Sequence, residues 1–514
     1  MKKLYLTLVS LFVLTTVATA QYVDNALLFS QQTYGSTARL KAMGNAFGAL
    51  GGDFGSLSIN PAGIGIYQRT EVSTTMSLVN LNSTESSYQG SSFKEDNNNF
   101  NFKNFGYVST MPLSGNAKGL VSLNFGLGYN RLANFNQNSS VGSGSSPYSR
   151  MDAFAQNTNG INYNNLVTVD GYDPYESVPW ESKLAWETYL TDVTNPNTDG
   201  DQYTTFLMDN EKVKQFQTAS QEGFINEYLA TVGANFNHKL YLGMTFGMQD
   251  LFHDEAKLYS ESGENSAGTT VGNWGNFEYS NFARSNGYGY NFKFGAIYRP
   301  IQALRLGAAI HTPTWFHFNE SYSSSMSSDL AGISDDADGK HSENSPVGSY
   351  EYDFHTPMRA IGSVAVQIAK KGLISVDYEF VDYGKMKYSR GLGGSNFNIE
   401  NDEIQTIYKA AHTLRIGGEI KPVNAISLRG GIEFIGNPYQ SNAYGVSQPN
   451  ENYKYRTYNG GIGYRQGMFT VDLTYSLGDK TNYLYLYQVE GVNVDPVKYH
   501  SLNHELLLTL AIRM

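Results

Sequence analysis

The chain predicts an all-β protein: a transmembrane antiparallel β-barrel of about fourteen strands with a small N-terminal plug in its lumen. Three observations carry that reading. Apolar residues recur at every second position over stretches of about ten residues, the signature of strands with one face toward lipid. Leu506, Leu508, Leu510, Ile512 and Met514 alternate with Leu507, Thr509, Ala511 and Arg513. Phe469, Val471, Leu473, Tyr475 and Leu477 alternate with Thr470, Asp472, Thr474 and Ser476, and Leu240, Leu242, Met244, Phe246 and Met248 repeat the pattern. Short turns then alternate with long polar loops along the chain, the two-sided asymmetry of bacterial barrels. Finally, Tyr and Phe far outnumber Trp (38 and 28 against 4), as suits aromatic girdles at the membrane surfaces.

Taken in order, residues 1–20 read as a secretory signal. Lys2 and Lys3 form its basic region and Leu4–Val17 its apolar run, with Ala18-Thr19-Ala20 as the cleavage site and Gln21 as the mature start. An uncleaved anchor would ask for about 20 apolar residues, more than this run supplies. Residues 21–68 lack barrel periodicity and read as a hatch. Thr37–Leu50 suits a short helix capped near Ser36, weakened by Gly44 and Gly48. The Gly51-Gly52-Asp53 turn and the segment Ser58–Gly65 follow. Small residues ahead of the first strand belong in the lumen, because about fourteen strands enclose more space than wall side chains fill.

Residues 69–514 form the barrel. Period-two patterning and turn residues place strands at Glu71–Asn80, Lys103–Leu113, Lys118–Asn130, Asn226–Asn237, Lys239–Gln249, Asn286–Arg299 and Ala303–Thr312. They continue at Tyr350–Ile368, Leu373–Lys387, Ile407–Lys421, Ala425–Gly436, Tyr453–Arg465, Phe469–Tyr487 and Leu502–Arg513. Tight connections fall at Ser114–Ala117, Asn237–Lys239, Pro300–Gln302, Ala369–Gly372, Pro422–Asn424 and Gln466–Met468. Long ones fall at 81–102, 131–225, 250–285, 313–349, 388–406, 437–452 and 488–501. The largest, 131–225, holds two helical stretches: Glu181–Leu190 beside Trp180, with Leu184 and Trp186, and Glu211–Glu222 with Val213 and Phe216. Such a loop either folds over the barrel mouth or only shields it.

Composition excludes several functions. A net charge of −11 leaves no basic footprint for nucleic acid. The absence of Cys removes disulfides, thiolate metal sites, Cys nucleophiles and a lipidated N-terminal Cys. There is no Gly-x-Ser-x-Gly elbow and no Ser/His/Asp arrangement. No enzymatic activity, cofactor or metal is therefore expected.

Strand parity points Lys293, His311, Arg359, Asp377, Glu379, Arg415, Glu419, Arg429, Glu433 and Asp472 into the lumen. The tight turns place Asp377, Arg415 and Arg429 at similar heights, where opposite charges would form a cross-strand ladder. That set either braces wall and plug or leaves Arg359 free to take a carboxylate head group. The triplets His311-Thr312-Pro313 and His355-Thr356-Pro357 flank 313–349, hence the outer rim. Proline removes a ladder hydrogen bond, which makes Pro313 and Pro357 candidates for a strand kink or opening. Gly126 and Gly128 are a further candidate for a bulge or gap. Trp315, Phe316 and Phe318, with Trp180, Leu184, Trp186 and Phe216, make a candidate apolar ligand groove.

The signal, the segment GSTARLKAMGNAFGALGGDFGSLSINPAGIG and the strand pattern together resemble the FadL-type outer-membrane transporters of hydrophobic compounds. Ala42, Met43 and Gly44 match the helix of the family's hatch, and Asn60, Pro61 and Ala62 match its Asn-Pro-Ala motif. The chain ends on Met514 where the family has an aromatic. The resemblance implies a monomer in the outer membrane of a Gram-negative bacterium, in contact with outer-membrane lipid. It implies facilitated uptake of long-chain fatty acids or other hydrophobic molecules. Cargo would be caught at an extracellular groove, pass toward the plug and leave sideways through a kinked strand. In that scheme Pro61, with fixed φ and no N–H, and Asn60, pushed away from helix, set the plug's exit toward Tyr67. Some barrels of this kind instead serve protein secretion, and a structural or protein-binding role in such an envelope system is the alternative. An apolar path from rim to plug would mark the transporter, and an exposed patch outside would mark the binding component.

Overall fold

The computed structural model describes residues 16–34, 37–113, 119–194, 200–207, 211–264, 275–330, 339–369, 371–390, 397–441, 443 and 452–514. The body of the expected signal (1–15), Ser36 and the turn at 114–118 lie outside the described residues.

Alternating burial shapes the wall. In the strand Leu240–Glu264, Leu242, Met244, Phe246 and Met248 are exposed, while Tyr241, Thr245 and Gln249 are buried. Fourteen strands follow this rule. They are β1 (Glu71–Tyr88), β2 (Ser91–Asn98 and Asn101–Pro112), β3 (Leu120–Asn134 and Gln137–Ser146), β4 (Lys212–Phe236), β5 (Leu240–Glu264), β6 (Asn276–Ile301) and β7 (Leu304–His311 and Trp315–Asp329). The circuit continues with β8 (Gly348–His355 and Arg359–Ile368), β9 (Gly372–Asp382 and Lys387–Arg390), β10 (Ala410–Val423), β11 (Ile426–Ile435), β12 (Lys454–Gln466), β13 (Phe469–Leu484) and β14 (Val497–Arg513). Each pairs antiparallel with the next, and β14 pairs with β1 from Glu71↔Arg513 to Ser87↔Lys498, which closes the barrel. No described helix is long and apolar enough to cross a membrane.

Several strands run well past their expected ends. At about 3.3 Å per residue, the 25 residues of β5 reach about 80 Å, far beyond an apolar band about 25 Å tall. Its outer face is apolar up to Met248 and then turns to Asp250 and Asp254. Much of 81–102, 250–285 and 313–349, expected as loop, is therefore strand above the band. Glu211–Glu222 is not a helix: Val213, Gln215 and Gln217 face inward from β4 while Lys212, Lys214 and Phe216 face out. Period two and pairing on both sides override its helix-compatible composition. The other expected helix forms as Trp180–Glu187.

The hatch fills the lumen. It comprises α1 (Thr16–Ser30, whose first five residues fall in the expected signal), α2 (Ala38–Ala42) and 3₁₀ turns at Phe54–Ser58 and Pro61–Ile66. Thr37 caps α2, its hydroxyl accepting from the Leu40 N–H. The helix stops far short of Leu50 because Gly44 (φ +58°) and Asn45 (φ +61°) turn left-handed.

Wall glycines meet this plug around the circumference. A Cβ on Gly243 would lie 2.3 Å from Pro61 C, and on Gly295 1.9 Å from Asn60 Oδ1. On Gly307 it would meet the Gly48 carbonyl at 2.3 Å, on Gly417 the Met43 carbonyl at 2.1 Å and on Gly431 the Gly44 nitrogen at 2.2 Å. Phe54 occupies the space in front of Gly106 and Gly128, and Ile64 that before Gly126 and Gly233. The ladder at Gly126 and Gly128 is regular, and the irregularities of β3 fall at Leu120/Ser122 and Arg131/Ala133. These two glycines make room for the plug.

We expect Gly243→Val and Gly295→Val to cost well over the ~1–3 kcal/mol typical of overpacking, since the obstruction is plug backbone at Gly243 and the hydrogen-bonded Asn60 side chain and Pro61 ring at Gly295. The paired variant should lose the heat-modifiable folded band on gels. Gly460→Val, with nothing within 4 Å, should keep it.

Candidate functional site

Inward parity stacks the lumen into three tiers. The middle tier is a belt of ion pairs on successive strands. Lys293 Nζ lies 2.6 and 2.7 Å from the Glu227 carboxylate, which also accepts from Ser58 of the plug at 2.8 Å. Further round, Arg359 pairs with Glu379 at 2.8 Å, Glu379 with Arg415 at 3.0 Å and Arg415 with Glu433 at 2.6 Å. Asn45 of the plug donates to Glu433, and the Gly48 N–H to Asp377 at 2.7 Å. A lower set joins Arg429 to Glu419 at 2.7 Å and to Asp472 at 2.5 Å, with Arg39 of α2 3.5 Å from Glu419. Burial pushes the Asp53 carboxyl of the plug up, against the pull of Arg39.

Asp377 and Arg415 do face each other across the ladder, as expected, but Arg429 does not share their height. Its partner is Glu419, while Arg415 faces Glu433, with a register shift between Ile420 and Val423 at the β10–β11 turn. Arg359 is not free either: Glu379 and the Ser30 carbonyl take its guanidinium.

The upper tier is an aromatic chamber. α1 lies in it through Val23, Ala26, Leu27 and Phe29. Phe29 stacks on Phe318 (centroids 5.2 Å apart), Phe318 on Tyr352 (5.3 Å), and Phe354 packs against Tyr388 (4.8 Å). His253 meets Phe29 and Phe135 edge-on at 5.6 and 5.3 Å, and its buried Nε2 has no hydrogen-bond partner among the described residues. Hydrogen bonds from the upper wall to α1 include Tyr408 OH donating to the Val23 carbonyl at 3.1 Å and toward Asp24 Oδ1 at 3.5 Å, and Arg359 donating to the Ser30 carbonyl.

The candidate groove residues divide between four places. Phe316 and Phe318 line the chamber. Trp315 sits on the outer face 5.4 Å from Tyr290, in an aromatic belt that includes Tyr129 and Tyr228 (5.6 Å apart). Phe216 faces outward beside Phe93. Trp180 packs on Tyr322 (4.7 Å), Trp186 near Tyr203, and Leu184 in a cluster with Met151, Phe154 and Phe277. Neither His-Thr-Pro triplet is at the rim, because β7 and β8 continue past the prolines. His311 is deep, its Nε2 donating to the Ile59 carbonyl of the plug at 2.9 Å, and His355 lies opposite Trp315 in the ladder. Both strands break at their proline, but the break is stitched: Thr314 N donates to Thr356 Oγ1 at 2.8 Å and Thr356 N to the Thr314 carbonyl at 3.1 Å.

Asn60 caps the second 3₁₀ turn through the Ala62 N–H and donates to the Gly48 carbonyl at 2.6 Å and the wall carbonyl of Ala296 at 3.2 Å. With Pro61 and Ala62 it seats the plug on β5 and β6.

The ladder between β2 and β3 is partial. β2 and β3 are paired from Asn104↔Asn130 to Pro112↔Ser122. Above that level the upper segment of β2 pairs with β1 and that of β3 with β4, with no backbone ladder between them among the described residues. Side chains span this gap: Arg131 Nη1 donates to Asn101 at 3.0 Å and Asn134 to Asn99 at 3.2 Å. Leu132, Ala133 and Phe135 bring the chamber lining to its inner edge, and Phe100, 65% exposed, stands outside. The alternation of Tyr350, Tyr352 and Phe354 could have marked the chamber from sequence. The gap has no comparable signal. Among the described residues no group of three His, Asp or Glu could hold a metal.

No protein-family model matches the chain, and no curated protein matches it. Solved structures match it over nearly its whole length. One is a FadL homologue of Pseudomonas aeruginosa, with 12% identity, a TM-score of 0.53 and 94% of this chain and 99% of that one covered. Another is the toluene transporter TodX of Pseudomonas putida, with 13% identity, a TM-score of 0.50 and the same coverage. The fold is that of the FadL-type barrels. At such identity the likeness is one of architecture, and it extends over hatch and wall together.

The belt generates a test. Glu379→Gln leaves Arg359 and Arg415 buried and short of charge, which should destabilise the barrel by about 3–5 kcal/mol. Thermal unfolding followed by gel shift should register a clear drop in midpoint. Glu351→Gln, on an exposed stretch of β8, should leave it unchanged.

Proposed function

We propose that this chain is an outer-membrane channel for passive uptake of hydrophobic molecules, with the long loops outside and the short turns facing the periplasm. The observation that carries the reading is the aromatic chamber that abuts an unpaired seam in the wall. Cargo enters from the loop side, displaces part of α1, occupies the chamber and leaves between β2 and β3 into the bilayer. α1 suits the yielding part, since its hold in the chamber rests largely on apolar contacts and ring packing, with hydrogen bonds from Tyr408 and Arg359. Fatty acids remain within the proposed cargo range. The pairing of Arg359 with Glu379 leaves no free cation there for a carboxylate, and this favours uncharged molecules such as aromatic hydrocarbons.

Native mass spectrometry with lipid extraction tests this on the detergent-purified chain. We expect an apolar molecule to co-purify or to load from solution. Because the protein has no Cys, the Asn99→Cys/Asn134→Cys variant can be closed with a short thiol crosslinker. Crosslinking should slow release of the loaded molecule at least tenfold. A barrel that stays empty after incubation with fatty acids and aromatic hydrocarbons would overturn the proposal, and unchanged release after crosslinking would remove the seam from the path.

A further inference from the structure

The lower tier ends in a cavity of about 540 Å³ at the short-turn mouth, on the far side of the plug from the chamber. Its charge opposes that of the chain. The protein carries a net −11, yet this cavity is lined by seven Lys or Arg side chains against one carboxylate, that of Glu419. Arg39, Arg513 and Lys421 have carboxylate partners in Glu419 and Glu71. Arg69, Arg305, Lys371 and Arg465 have none within 4 Å among the described residues. Arg305 spends one N–H on the Leu50 carbonyl, at 2.7 Å, and Arg39 one on that of Gly52, at 3.1 Å. The Gly51-Gly52 turn, left-handed at φ +58° and +66°, thus turns carbonyls of the plug toward these guanidinium groups. One neutral acceptor, the Leu50 carbonyl on Arg305, does not balance four unpaired cations around one opening. A guanidinium has five N–H donors arranged for a planar or tetrahedral oxyanion. Beside the cations the lining includes Leu50, Ile66 and Leu373, so the cavity can take a short apolar stretch behind a charged head. Its volume lies in the range of small-ligand sites.

We infer that the short-turn mouth is a binding site for an anionic head group, a carboxylate or phosphate, drawn in by the unpaired Arg69, Arg305, Lys371 and Arg465 that line it. The site stands apart from the chamber and does not depend on what the chamber carries. Two sources supply that chemistry: a free amphiphilic anion, and a phospholipid of the adjoining leaflet.

The test uses the full chain. Equilibrium dialysis in detergent compares laurate with dodecanol, which has the same tail and no charge, and with inorganic phosphate. Native mass spectrometry from nanodiscs compares phosphatidylglycerol with phosphatidylcholine. The wild type should bind laurate at least tenfold more tightly than dodecanol, or retain phosphatidylglycerol and shed phosphatidylcholine, and the preference should fade as salt rises. Arg305→Gln/Arg465→Gln should weaken it at least tenfold. Arg69→Gln/Arg465→Gln, which alters two exposed side chains, guards against a folding defect and should weaken it several-fold. Laurate or phosphate binding without lipid retention identifies a free anion, and lipid retention alone identifies a head group. Equal binding by wild type and both folded variants for every probe overturns the inference.

Discussion

The close approach of plug backbone to wall backbone governs this molecule. Gly243, Gly295, Gly307, Gly417 and Gly431 lie on five strands, and at each the plug stands where a side chain would begin. Close-packed matter does not deform continuously to admit new atoms. The plug therefore fits in one orientation, and the wall must present a glycine at each contact. Segment 42–65, which makes these contacts, is part of the wall in mechanical terms. α1 is held differently, by ring packing against the chamber.

The ion belt adds specificity to this fit. Burying charges is costly, and pairing them offsets that cost without a large surplus. What the belt supplies is register. Asp377↔Arg415 and Arg415↔Glu433 are direct cross-strand neighbours. A slip of one residue would turn each of these charges toward lipid. Hydrogen bonds from Ser58, Asn45 and Gly48 tie the same carboxylates to the plug, so wall register and plug position are set together.

Lipid explains what could be read from the sequence. Within the apolar band every outward residue must be greasy, so Leu242 to Met248 announce a strand and its facing. The plug was legible too, because Asn60-Pro61-Ala62 and its glycines fit nowhere in such a pattern. Above the band both faces meet water or polar loops, and the constraint lapses. The upper halves of β4, β5 and β7 consequently looked like loops, and Glu211–Glu222 like a helix. The same extension of β7 and β8 carried His311 and His355 away from the rim. The height of Arg429 was missed because it depends on an irregular turn, and parity alone does not count residues through a bulge. Gly126 and Gly128, read as a candidate bulge or gap, sit in a regular ladder, and Phe54, Leu57 and Ile64 of the plug fill the space before them.

On the proposed reading, these constraints also decide which way a hydrophobic cargo would leave. Straight passage to the short-turn mouth would take it through the belt, past Glu227–Lys293 and Arg429–Asp472, and then through a cavity lined by cations. Each step would strip water or counter-charge from buried ions, and an apolar molecule returns nothing for that loss. Passage through the plug would need the 42–65 segment to leave wall glycines that fit it alone. The seam between β2 and β3 asks for less. Among the described residues no backbone ladder closes it, and the side chains across it include Asn99, Asn101, Arg131 and Asn134, with Ser140 bonded to Glu95 and Ser143 to Gln89 higher up. Phe135 brings the chamber to its inner edge and Phe100 extends an apolar surface outside. An unpaired stretch of backbone is tolerated beside lipid only where its polar groups find other partners, and these side chains can serve as those partners. On that reading a hydrophobic molecule leaves through the side of the barrel, where it meets fewer buried ions, while the charged mouth below is left to ligands of the opposite chemistry.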